Sequence, residues 1–129
     1  MKKLLKFTSV LETLLGAFLI IDPSLVLKLL FNMDSTASII ALSRLTGIVY
    51  FCFGIVCFPP NEISGNYNKS PVVRAMFLYN ILAAIYLGYL KFVSGYDGRL
   101  LFPAVILHVL ITICFVYMIF VSKKDITAV

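Results

Sequence analysis

The sequence predicts an all-α integral membrane protein: a four-transmembrane-helix bundle with a short interfacial helix between the first and second spans. Three observations predict it. The composition is 61% hydrophobic and 13% charged, with a mean hydropathy of +1.02, where soluble domains are about half apolar and a quarter charged. The apolar residues gather into four blocks of the length a bilayer requires, roughly 20 residues each. Backbone groups in such blocks must be satisfied within the segment, which selects helices over open strands.

The first span is expected from about Leu4 to Ile21. Its opening, Met1-Lys2-Lys3-Leu4-Leu5-Lys6, has the charged start of a secretory signal, but Glu12 interrupts the apolar stretch and no small-x-small cleavage site follows before Asp22-Pro23. A retained span is the expectation. Asp22 can cap and Pro23 can open a new helix at its first position. That helix, Ser24 to Phe31, is too short to cross and too apolar to float free, so it is expected in the interface with Lys28 reaching the headgroups.

Asn32 to Thr36 reads as a turn, with Asp34 and Ser35 as candidate caps for a second span over Ala37 to Phe58. Pro59-Pro60 stops it. The stretch from Pro59 to Ser70 is hydrophilic and reads as a loop, after which Ser70-Pro71 pairs a cap with a first-turn proline for a third span, Val72 to about Leu90. Ser94-Gly95-Tyr96-Asp97-Gly98 carries the residues of a tight connection. The fourth span is expected from about Leu101 to Val121, with Pro103 tolerable in its first turn. The whole chain, 1–129, reads as one transmembrane domain without internal repeats.

The net charge of +5 does not indicate nucleic acid, because the basic residues sit in short flanks beside apolar blocks and not on one face. They report orientation. With the N-terminus inside, Lys2, Lys3, Lys6, Lys69, Arg74, Lys123 and Lys124 fall on the cytoplasmic side, against Lys28, Lys91 and Arg99 outside, seven to three. Both termini are therefore expected in the cytoplasm, in a cell (inner) membrane. Asn68-Lys69-Ser70 matches a glycosylation sequon but would then face the cytoplasm, where it carries no weight.

Four residues are expensive inside a bilayer: Glu12, Arg44, Asn80 and His108. A charged side chain at the bilayer centre costs roughly 2.5 to 3.5 kcal/mol on insertion scales, so each is expected to face the bundle interior and find a partner. Counting at about 1.5 Å per residue, Arg44 and His108 lie about 10 Å below the outer boundary, and Glu12 and Asn80 about 12 Å above the inner one. A Glu12 to Arg44 ion pair follows, with Asn80 and His108 nearby and Tyr79 as a pocket-lining neighbour. Helical spacing puts Glu12 with Gly16, Arg44 with Gly47 and Gly54, Asn80 with Ala84 and Gly88, and His108 with Ala104 and Thr112. Gly16, Gly47, Gly54, Ala84 and Gly88 are the expected helix-packing positions, because small residues let membrane helices approach closely.

Metal and haem readings are weak, since a closed zinc site wants four ligands and the chain has one histidine. Cys52 and Cys57 are no redox pair, because five residues along a helix turn the second thiol roughly 140° from the first. No metal and no cofactor are predicted. The polar cluster supports two readings, a structural lock of compensated charges or a ligand or proton site.

Glu12-x-x-x-Gly16, the Pro23 to Leu30 segment, Arg44-x-x-Gly47, Tyr79-Asn80 and the run Leu101 to His108 together resemble small four-span bacterial membrane proteins, distantly similar to the DoxX-like group. The resemblance covers nearly the whole chain through short motifs. It implies a compact four-helix bundle with an inward polar cluster, and no established activity. Small multidrug transporters also carry a glutamate in the first of four short spans, but the charge bias here favours one orientation, and Arg44 would neutralise the carboxylate.

The leading expectation is a binding module or accessory subunit, non-enzymatic, with a lipid, quinone-like or other small amphiphile in the bundle and a homo-oligomer or larger membrane complex around it. The alternatives are a small homodimeric proton-linked transporter using Glu12 or His108, and a membrane enzyme with His108 as general base, for which no nucleophile is visible.

Overall fold

The computed structural model describes residues 1–59 and 70–121, with the last two by backbone alone. Among these residues the regular structure is all helix, with no strand. The helices are α1 (Lys2–Ile21), α2 (Pro23–Phe31), α3 (Ala37–Cys57), α4 (Pro71–Phe92) and α5 (Leu101–Val116), the last continued by a π-helical turn, Tyr117–Val121. Four helices are long and apolar enough to cross a membrane: α1, α3, α4 and α5 with the start of its π-helical extension. Residues 60–69 of the loop expected over Pro59 to Ser70, with the Asn68 sequon and Lys69, lie outside the described residues, as do Lys123 and Lys124.

The helix boundaries follow local chemistry. The Asp22 carboxylate accepts a hydrogen bond from the Leu25 backbone N–H at 3.0 Å, and Pro23 occupies the first position of α2, where its missing N–H costs nothing. Asn32 ends α2 in the left-handed conformation, φ 54°, which asparagine tolerates better than most residues. The cap of α3 is Thr36, not Asp34 or Ser35: its hydroxyl accepts from Ile39 N–H at 3.4 Å, while the Ser35 hydroxyl donates to Ser24 at 2.9 Å and ties the turn to α2.

The bundle consists of two close pairs. Antiparallel α1 and α3 meet backbone to backbone through glycines. A β-carbon on Gly47 would stand 2.8 Å from the Gly16 carbonyl oxygen, one on Gly16 would collide with the Phe51 backbone nitrogen, and one on Gly54 would stand 2.7 Å from the Ser9 carbonyl. Helix α5 packs along α4 in a hairpin, with Phe92 edge-on to Phe102. The pairs join most completely at the end formed by the start of α1 and α4 and the end of α3 and α5. There Leu5, Cys57, Val73, Met76, Ile111 and Phe115 are all buried in one apolar plug.

At the opposite end α2 closes the bundle as a strap. The Leu100 N–H donates to the Leu29 carbonyl at 2.8 Å, Phe31 stacks edge-on against Tyr96, and Gly98 lies against the backbone of Leu30. Gly98 is buried because nothing larger fits between the α4–α5 turn and the end of α2. In the same turn Lys91 bonds Asp97 at 2.5 Å, and this hydrogen bond and the ammonium charge hold the Asp97 carboxyl below its ordinary range.

Many large apolar side chains are exposed around the bundle, among them Ile21, Leu42, Val56, Ile85 and Phe92. Exposed apolar surface on that scale is foreign to a water-soluble monomer. It is the surface that lipid would cover.

Candidate functional site

Below α2 and above the plug, the two helix pairs diverge and leave a cavity of about 710 Å³, within the range of small-molecule sites. Its upper walls are apolar, with Leu19 from α1, Val26 and Leu30 from α2, and Leu87, Pro103 and Leu107 from the second pair. Its polar side chains concentrate at mid-bundle, where Glu12, Tyr50, Tyr79 and His108 line it. Leu42 and Thr46 of α3 and Tyr86 of α4 line it too and are themselves exposed. The cavity thus opens sideways between α3 and α4, in the apolar part of the bundle.

Glu12 is 4% exposed. The Tyr79 hydroxyl donates to its Oε2 at 2.9 Å, linking α1 to α4 across the bundle. The next residue, Asn80, is fully buried; its Nδ2 donates to the Met76 carbonyl at 2.8 Å, and its Oδ1 lies 2.9 Å from His108 Nδ1. A carbonyl oxygen can only accept, so His108 Nδ1 carries a hydrogen, and in the neutral ring Nε2 is the acceptor. Tyr79 also meets the His108 ring edge-on at 5.7 Å, Tyr50 at 5.9 Å and Phe53 at 5.5 Å. Successive residues Tyr79 and Asn80 therefore serve different partners, one reaching α1 and the other α5.

Of the residues singled out by sequence, Glu12, Tyr79, Asn80 and His108 are brought together. Thr112 lies one turn beyond His108, with its hydroxyl buried and without a hydrogen-bond partner, as is that of Ser9, one turn from Glu12. Arg44 is not part of the cluster. It is exposed, and no ion pair joins it to Glu12. The expected Glu12 to Arg44 pair fails because Ser43, Gly47 and Gly54 form the buried stripe of α3. Arg44 stands about 100° around the helix from Ser43. Gly88 is likewise no packing position, since a β-carbon there would meet nothing within 4 Å, and its neighbour Ala84 is only half-buried.

Sequence reading missed Tyr50 and the close contact of Gly98. Tyr50 carried a signal: Ser43, Gly47, Tyr50 and Gly54 recur at helical spacing, so the stripe that holds the glycines also turns Tyr50 inward. Gly98 carried none, because its role is a contact with a helix far away in sequence. Among the described residues no group of three or more histidine, cysteine or carboxylate side chains is arranged to hold a metal ion.

Set beside known proteins, the chain matches no family model, no curated protein and no solved structure.

Proposed function

We propose that the chain is a membrane-embedded binding module or accessory subunit that holds one small amphiphile or lipid between its two helix pairs. The observation that carries this reading is the cavity of about 710 Å³ with apolar walls, a polar floor and a sideways mouth. A site built only to lock helices together has no use for such a space, since close packing is the more stable arrangement. On this reading the four-span protein resides in a bacterial inner membrane with both termini in the cytoplasm, the orientation its basic residues favour. Its kinship is with the DoxX-like group, and a homo-oligomer or a larger membrane complex is its setting.

The test is to purify the full chain in native-lipid nanodiscs and extract what co-purifies for mass spectrometry. The comparison is with Ala83→Phe and Ala104→Phe, two changes that fill the cavity from its walls. The expected result is one class of amphiphile enriched with the wild type and depleted at least tenfold with the filled variants. Equal lipid profiles for folded wild type and variants would refute the reading.

The alternative is a proton-linked transporter, favoured by a single observation, the buried Glu12 carboxyl without a basic partner among the described residues. Such transport needs access from both sides, whereas the plug of Leu5, Val73, Met76 and Phe115 stands between Glu12 and the far end. Flux that vanishes with Glu12→Gln in proteoliposomes would favour the transporter over the binding module.

A further inference from the structure

The polar floor of the cavity is unbalanced. Glu12 has one donor, the Tyr79 hydroxyl on Oε2, and no lysine or arginine lines the cavity among the described residues. His108 spends its Nδ1 hydrogen on Asn80, which leaves Nε2 as an acceptor in the neutral ring. Thr46 donates its hydroxyl to the Leu42 carbonyl in its own helix. Glu12 and His108 thus both turn acceptors toward the place where a ligand's polar end would lie, beside the hydroxyl of Tyr50, which can donate or accept.

The surroundings repeat the bias. Tyr50 and Tyr79 place two aromatic rings beside Glu12 and His108 at the cavity floor, and aromatic rings attract cations, most strongly where water is excluded. Arg44, the one cation in mid-span that sequence offers as a counter-ion to Glu12, is exposed on another face of α3. An ionised carboxylate buried away from water is costly until an opposite charge reaches it.

We propose that the cavity selects amphiphiles whose polar end is an ammonium or other hydrogen-bond-donating cation, with Glu12 as counter-ion, His108 as a second acceptor and the aliphatic chain along the apolar walls toward α2. The inference rests on the cavity being a ligand site and goes beyond it by fixing the charge and hydrogen-bonding character of the occupant. It excludes fatty acids and other anionic amphiphiles, because their carboxylate would face Glu12 with no cation between them.

Three probes of matched chain length separate these properties: n-decylamine, n-decanol and n-decanoate, titrated calorimetrically into the full chain in nanodiscs against empty-nanodisc blanks. The amine is expected to bind about tenfold or more tighter than the alcohol, as a charge-assisted hydrogen bond implies, and decanoate weakest of the three. In Glu12→Gln the preference for amine over alcohol is expected to disappear. Equal binding of amine and alcohol by the wild type, or a preference that survives Glu12→Gln, overturns the cationic selectivity and leaves the amphiphile site standing. Protein-dependent binding of none of the three overturns both. The wild-type series needs no variant, so it decides the matter even if Glu12→Gln fails to fold.

Discussion

Helix α3 has two neighbours and treats them differently. Toward α1 it offers Gly47 and Gly54, and the two backbones touch; toward α4 it offers Tyr50, Thr46 and Leu42, and a cavity opens. Without water to drive apolar surfaces together, membrane helices associate through van der Waals contact and interhelical hydrogen bonds. Glycines decide which neighbour is close. The α1–α3 seam is held by shape, whereas α1 and α4 are joined at mid-bundle by one hydrogen bond, from Tyr79 to Glu12.

The largest effect expected from this contrast is that of Gly16→Leu. The new side chain would begin inside the backbone of Phe51 and Gly47, which cannot yield as a flexible side chain could. Overpacking typically costs 1 to 3 kcal/mol, and about 3 kcal/mol or more is expected here. Reversible unfolding in mixed micelles would register it, and a variant as stable as wild type would show that the seam is not held by backbone contact. Tyr79→Phe sharpens the other side of the comparison. It strips Glu12 of its donor and loosens the tie across the cavity, with an expected cost of about 1 to 3 kcal/mol by the same measurement. The smallest effect belongs to Gly88→Ala. Its β-carbon meets nothing within 4 Å, so only the higher helix propensity of alanine acts, a gain of about 1 kcal/mol or less. A clear loss of stability there would mean that Gly88 contacts a second copy of the chain.

The four membrane-crossing lengths, the strap helix and the cap at Asp22 were legible because each depends on residues near one another in the sequence. Apolar blocks of roughly 20 residues, a proline after an aspartate and a bilayer's thickness are sufficient. The inward turn of Glu12, Asn80 and His108 was also legible, through the high cost of polar groups in lipid. Their actual connections were not. Depth along a helix says nothing of rotation about its axis, and the 100° between Ser43 and Arg44 decided which of them faced inward. Tyr79 was noted for its place beside Asn80, yet it, and not Arg44, supplies the partner of Glu12. Gly98 was invisible for a different reason: the residue that makes it necessary, Leu30, is on another helix, and no local pattern announces a distant backbone.

If the cavity holds an amphiphile as proposed, the sideways mouth between α3 and α4 also sets the reference against which occupancy is counted. A guest that enters from within the acyl layer never dissolves in the aqueous phase, so its mole fraction among the lipids, and not its molarity in buffer, governs how full the site is. A modest intrinsic affinity then suffices for saturation in a membrane where the guest is abundant. Dilution into excess detergent would empty the site without altering a single bond of the host.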